Sequence, residues 1–165
     1  MILKGNSWKF GNDISTDHIA PGRLFHLRSN LPELAKHVLV DAREDFAPNV
    51  KAGDFVVAGS NFGLGSSREH APTIIKVAGV SAVLAKSFAR IFFRNCVNIG
   101  LPVIICDTDK IAEGDLLEVD LPNGVINNVT KNIKINFPPL PDVMTKILLD
   151  GGLVAHIKKN KGFNL

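Results

Sequence analysis

The sequence predicts an α/β fold, a single domain over residues 1–165, with a β-hairpin and C-terminal helices added. Two observations carry this. Residues 55–106 alternate short runs of Val, Ile, Leu and Ala with helix-like segments, the rhythm of a layered α/β core. After residue 107 the pattern changes to two alternating runs around Pro122-Asn123-Gly124, a strong hairpin turn. A length of 165 residues suits one domain, and 45% hydrophobic with 21% charged residues is enough apolar material for one ordinary core.

The elements follow in order. Residues 7–10 read as a short strand, and residues 11–28 as a polar loop rich in turn formers. A helix is expected after Asn30, with Pro32 in its first turn and Leu34, Ala35, Val38 and Leu39 on its apolar face. Residues 51–54 form a turn before a buried strand at 55–58. A glycine-rich stretch, 59–67, runs into a helix expected at 68–78 and closed by Gly79. A strand at 81–85 precedes a helix for which Ser87 is the expected cap. Residues 101–106 are another buried strand. The hairpin pairs 115–121 with 125–129, and 133–137 adds a strand. After the Pro-rich link at 138–141, helices are expected at 142–149 and 153–159, separated by Gly151-Gly152.

Charge and cysteine usage exclude several classes. The net charge of +3 is small, and part of it lies in a basic tail, Lys158, Lys159 and Lys161. No basic stripe interleaved with aromatics marks a nucleic-acid binder. Residues 1–10 lack the apolar core of a signal peptide, and no run approaches a membrane span. A cytoplasmic location is therefore expected. Cys96 and Cys106 match no metal spacing and read as buried thiols of a reducing compartment. Two such thiols do not make an iron–sulfur site, which takes three or four. His26, His37, His70 and His156 fit no local metal-ligand pattern either, so no metal is expected in this chain.

Two stretches carry chemistry. Gly63-Leu64-Gly65-Ser66-Ser67-Arg68-Glu69-His70 joins glycines, which let backbone approach a ligand, to serines at an expected helix start and to a guanidinium. Free amides, hydroxyls and the fork of Arg68 can converge there on a carboxylate or phosphate. The stretch is neither a P-loop nor Gly-x-Ser-x-Gly; a plain glycine turn with a serine cap is the competing reading. The second stretch is Asp13-Ile14-Ser15-Thr16-Asp17-His18-Ile19, in which Asp17 and His18 are candidates for proton transfer or simple turn residues.

Taken together, Asp13-x-x-Thr16-Asp17-His18-Ile19, Gly59-x-Asn61-Phe62-Gly63-x-Gly65-Ser66-Ser67-Arg68-Glu69-His70-Ala71 and Lys86-Ser87-Phe88-Ala89-Arg90-Ile91-Phe92 resemble the swivelling domain of the aconitase superfamily. Length and tail are similar to the free-standing small subunits of the 3-isopropylmalate dehydratase and prokaryotic homoaconitase families. The resemblance covers nearly the whole chain. It implies a swivelling β/β/α fold and a hydro-lyase that isomerises a hydroxy-dicarboxylic or tricarboxylic acid by dehydration and rehydration, as in leucine biosynthesis. It also implies a large partner subunit carrying a [4Fe–4S] cluster whose open iron acts as a Lewis acid. No cofactor is implied in the small subunit itself.

The resemblance further assigns roles. Ser66 matches the serine that removes a proton beside a carboxylate, Asp17 an aspartate of the acid–base network, and Arg68 a catalytic and substrate-binding arginine. Gly65 and Ser67 fall in the substrate-binding set. The loop after Asp-His-Ile reaches over the variable group of the substrate in this family. Here it reads Leu24-Phe25-His26-Leu27-Arg28-Ser29, and Arg28 would suit a carboxylate, as in homoaconitate, better than an isopropyl group. The substrate alternatives are thus isopropylmalate, homoaconitate and another malate such as a dimethylmalate. Outside catalysis, the alternatives are an anion-binding module and an RNA-binding protein.

Overall fold

The structure is a computed structural model and describes residues 1–162. Seven strands form one sheet in the order β4-β3-β2-β1-β5-β6-β7. Strand β1, Ile2–Lys9, is the hinge of this sheet. Its last three residues pair in parallel with β2, Phe55–Val57, while Ile2 to Asn6 pair antiparallel with β5, Leu116–Asp120. Parallel pairing continues to β3, Ala82–Ala85, and β4, Val103–Ile105. On the other side β5 continues through the expected hairpin to β6, Val125–Asn128, and then β7, Ile133–Asn136. The hairpin turn is held by Asp120, whose carboxylate accepts from the backbone and side-chain amides of Asn123.

Burial explains the sequence pattern. Strands β2 and β3 are buried at every residue, because both of their faces are covered. One face packs with Leu34, Phe46, Ile74 and Phe92 against the helices. The other packs Phe55, Leu84 and Ile104 against Leu117, Ile126 and Ile135 of the antiparallel part. Strand β5, covered on one face only, alternates half-buried and buried residues. The α/β class, the hairpin and the C-terminal helices, α6 (Asp142–Leu149) and α7 (Leu153–Asn160), are as the sequence predicts. No helix among the described residues is long and apolar enough to cross a membrane.

Several boundaries differ from expectation. The first strand begins five residues earlier than predicted, since its start is fixed by long-range pairing with β5 rather than by local pattern. The polar loop at 11–28 contains α1, Thr16–Ile19, and a 3-10 helix, Gly22–Leu27. The helix after Asn30 is only α2, Leu31–Ala35, capped by the Asn30 side chain. Val38 and Leu39 are buried as expected, but in turns beyond the helix. Leu39 takes φ +58°, which ends any helical continuation, and its amide bonds to the Ile19 carbonyl at the end of α1. A further short helix, α3, covers Phe46–Asn49. The helix expected at 68–78 is α4, His70–Val77, with Glu69 at its cap position, so Ser66 and Ser67 lie further ahead of its start than the sequence places them. Ser87 does not cap a helix: α5, Arg90–Asn98, starts after Ala89. The Ser87 hydroxyl instead accepts from the Asn61 amide.

Candidate functional site

The three sequence stretches leave the carboxyl ends of neighbouring parallel strands, β1, β2 and β3, the usual place for a ligand crevice in an α/β sheet. Backbone hydrogen bonds stitch them together. The Gly59 amide donates to Gly11, the Asp13 amide to Ser60, the Gly63 amide to Ile14 and the Thr16 amide to Leu64. On the other side Phe62 donates to Ser87, and Ala89 donates back to Phe62. A stretch that is irregular in sequence is thus held almost as firmly as a sheet, through bonds that span tens of residues.

Gly63 and Gly65 make this possible. Gly63 has φ +82°, and a Cβ there would lie 2.2 Å from the Phe92 ring, so only glycine lets α5 approach the loop. Gly65 has φ +103° and faces the Thr16 hydroxyl. That hydroxyl donates to the Ser66 carbonyl at 2.9 Å. Thr16 is buried at 3% exposure, while Ser66 and Ser67 face solvent. The backbone of Ser66 is therefore fixed from below and its side chain is presented outward. The Ser66 hydroxyl makes no hydrogen bond among the described residues.

Asp17 projects from α1, whose start is closed by a reciprocal cap. The Ser15 hydroxyl accepts from the His18 amide, and the Ser15 amide donates to His18 Nδ1 at 2.9 Å. That bond puts the proton of a neutral His18 ring on Nε2 and commits Nδ1 to structure. Arg68 faces the same helix. Its Nη2 lies 2.5 Å from Asp17 Oδ1, and its Nη1 donates to the Ala20 carbonyl at 2.7 Å. Arg68 is largely covered, while the Asp17 carboxylate remains mostly in solvent. Both terminal nitrogens of Arg68 are thus engaged within the chain.

A cleft of about 320 Å³ opens beside this arrangement. Ser66, Ser67 and Arg68 form one wall; Arg90, Ile91 and Asn95 of α5 form the other. Gly63, Ala89 and Phe92 make the floor. Four of the six site residues read from sequence, Gly65, Ser66, Ser67 and Arg68, line this cleft together, and Asp17 reaches it through Arg68. Arg28 does not line it. Its guanidinium is stacked 4.1 Å above the Phe25 ring, and its Nη1 donates to the Phe25 carbonyl at 3.1 Å. The loop that carries it is tied down by a two-point pair between Arg23 and Asp41, at 2.6 and 2.7 Å. Phe25 in turn meets the ring of His70 edge-on at 5.9 Å. Burial, with smaller contributions from Arg68 and Arg28, pushes the His70 pKa below the ordinary imidazole value.

Sequence reasoning assigned no role to Thr16, Arg90, Ile91 or Asn95. Thr16, Arg90 and Ile91 lie within the quoted motifs, which was the only available signal; Asn95 lies outside them and had none. Among the described residues no group of three or more His, Cys, Asp or Glu is placed to hold a metal. Both cysteines are buried free thiols; burial raises Cys96 and pushes Cys106 up to about 12. Neither is a ready thiolate ligand.

A family model described as the aconitase C-terminal domain matches residues 17–107, more than half of the chain, from Asp17 in α1 to beyond β4. The chain is 64% identical over 160 residues to a protein of Archaeoglobus fulgidus named 3-isopropylmalate dehydratase small subunit 2, with 97% of each covered. It is 60% identical to 3-isopropylmalate dehydratase small subunit 1 of Thermotoga maritima, with 98% of each covered. The crystal structure of a 3-isopropylmalate dehydratase chain from Methanocaldococcus jannaschii superposes with a TM-score of 0.94 at 47% identity, covering 98% of this chain and 96% of that one. Aconitase X of Thermococcus kodakaraensis, at 15% identity and a TM-score of 0.51, shares the fold alone.

Proposed function

The chain belongs to the aconitase C-terminal domain family, among the small subunits of 3-isopropylmalate dehydratase, and from that membership we propose that it works as the small subunit of a two-subunit hydro-lyase. The reaction is the isomerisation of a hydroxy-dicarboxylic acid by loss and return of water. Relatives named for 3-isopropylmalate along their whole length favour that substrate over the homoaconitate and dimethylmalate alternatives. The observation that carries the proposal is the convergence of the three loops on one cleft, with the Ser66 hydroxyl presented to it on a fixed backbone.

In this reading Ser66 takes the proton from the carbon beside a carboxylate. The hydroxyl on the neighbouring carbon leaves as water once a general acid of the assembled site gives it a proton, and an unsaturated acid is held for rehydration. A serine hydroxyl is a weak base, so its deprotonated form needs positive charge and exclusion of water. Arg68 supplies charge at the same wall, and Asp17 keeps its guanidinium in place. Ser67 and the Gly65 backbone contribute to holding the acid. The residues of this chain do not fit a cluster: two buried, protonated thiols are too few and wrongly poised. The [4Fe–4S] group belongs, in this reading, to a large partner subunit that closes over the exposed serines.

The test is reconstitution of this chain with its large subunit and a substrate panel of isopropylmalate, homoaconitate-type acids and dimethylmalate. Turnover of isopropylmalate by the pair, absent from either chain alone, is expected. Ser66→Ala should lower kcat by roughly 10²–10⁴-fold with assembly intact. A loss of only a few-fold would assign the proton to another group.

A further inference from the structure

The two guanidinium groups that line the cleft are in opposite situations. Arg68 has its Nη atoms bound to Asp17 and Ala20. Arg90, on the facing wall, is exposed and has no ion pair or hydrogen bond among the described residues. Arg23, Arg28 and Arg43 are each bonded to a carboxylate or a carbonyl. Arg94, one helical turn beyond Arg90, also has no ion pair or hydrogen bond among the described residues, but it does not line the cleft.

Arg90 also has a fixed base. It is the first residue of α5, and the chain just before it is tied to the loop by the Ala89 amide on the Phe62 carbonyl. The Phe92 ring fills the space that the missing Cβ of Gly63 leaves. The α5 wall therefore offers, in order, a permanent cation (Arg90), an apolar side chain 53% exposed (Ile91) and a carboxamide (Asn95). A carboxylate, an alkyl branch and a hydroxyl are the groups these would receive. The cleft volume suits an acid of that size.

We infer that Arg90 is a substrate-binding residue that takes one carboxylate of the hydroxy-acid across the cleft from Ser66. This rests on the dehydratase reading above. A guanidinium–carboxylate pair formed in a closed cleft contributes mainly to binding, and its planar fork holds the acid in one orientation. Ile91 then lies against the alkyl branch.

The experiment uses the reconstituted pair and three variants of this chain: Arg90→Gln, Arg90→Lys and, as a charge-matched control, Arg94→Gln. KM and kcat for isopropylmalate are measured, together with the affinity of each variant for the large subunit. Arg90→Gln is expected to raise KM by roughly ten- to a hundredfold, more than it lowers kcat. Arg90→Lys should recover part of that loss, and Arg94→Gln should leave KM near wild type. An unchanged KM in Arg90→Gln, or an equal rise in Arg94→Gln, overturns the inference. Weakened assembly with a normal KM in the assembled complex also overturns it and makes Arg90 a subunit-docking residue. A wild-type pair without turnover removes the dehydratase reading, and the inference with it.

Discussion

Asp17 on α1 and Arg68 on the loop before α4 meet at 2.5 Å, although 51 positions separate them in the chain. The pair orients the arginine that stands beside Ser66, and its carboxylate side is open to solvent. A half-exposed pair of this kind adds little to stability, about 1 kcal/mol or less. Asp17→Asn is therefore expected to leave the melting temperature within a few degrees of wild type and to lower kcat by at least tenfold. Thermal unfolding and kcat measured on the same preparation check this; a large loss of stability with normal turnover would make the pair a structural clamp. Arg68→Lys should be as severe, because a single ammonium cannot serve both Asp17 and the Ala20 carbonyl in the same geometry.

Thr16→Val keeps the shape of the side chain and removes the hydroxyl that holds the Ser66 carbonyl. The site is buried, so the lost bond should cost about 1–2 kcal/mol in chemical denaturation. Because Ser66 loses its fixed backbone, kcat should also fall by roughly tenfold. Thr16→Ser, which retains the donor, should recover most of the activity.

Arg28 rests on Phe25, outside the cleft, in the isolated chain. If it faces the variable group of the substrate in the closed enzyme, Arg28→Val lowers kcat/KM for homoaconitate-type acids by about ten- to a hundredfold and spares isopropylmalate. The ratio of the two kcat/KM values is the readout. A ratio that does not move leaves Arg28 as a residue of the loop's own packing.

The His70 pKa is depressed by burial first, then by Arg68 and Arg28. In the unfolded chain the ring titrates near 6.5. The folded state therefore binds its proton later than the unfolded state as pH falls. Stability linked to His70 is fully present above about pH 6.5 and is lost as pH drops through the folded-state value. His70→Gln should flatten this part of the pH–stability curve. In an NMR titration the His70 ring should titrate below the ordinary range, and Arg28→Val should move it upward.

Much was legible in the sequence because its signals are local. Alternation in 117–121 and the Pro122-Asn123-Gly124 turn act over a few residues, and they gave the hairpin. Continuous apolar runs at 55–58 and 101–106 marked buried strands. Glycines at 63 and 65 marked a backbone that had to come close to something, and the order of the motifs pointed to the family. The tertiary structure decided what depends on partners distant in sequence. Strand β1 extends back to Ile2 because β5 pairs with it, and the serines stand ahead of α4 because the loop is bonded to residues 11–16 and 87. Packing stacks Arg28 on Phe25, binds Arg68 to Asp17 and leaves Arg90 in the cleft without a partner among the described residues. A charged side chain has the same local signature in all three situations; which carboxylate or ring lies within reach is fixed only when the loops from separate strands are brought together.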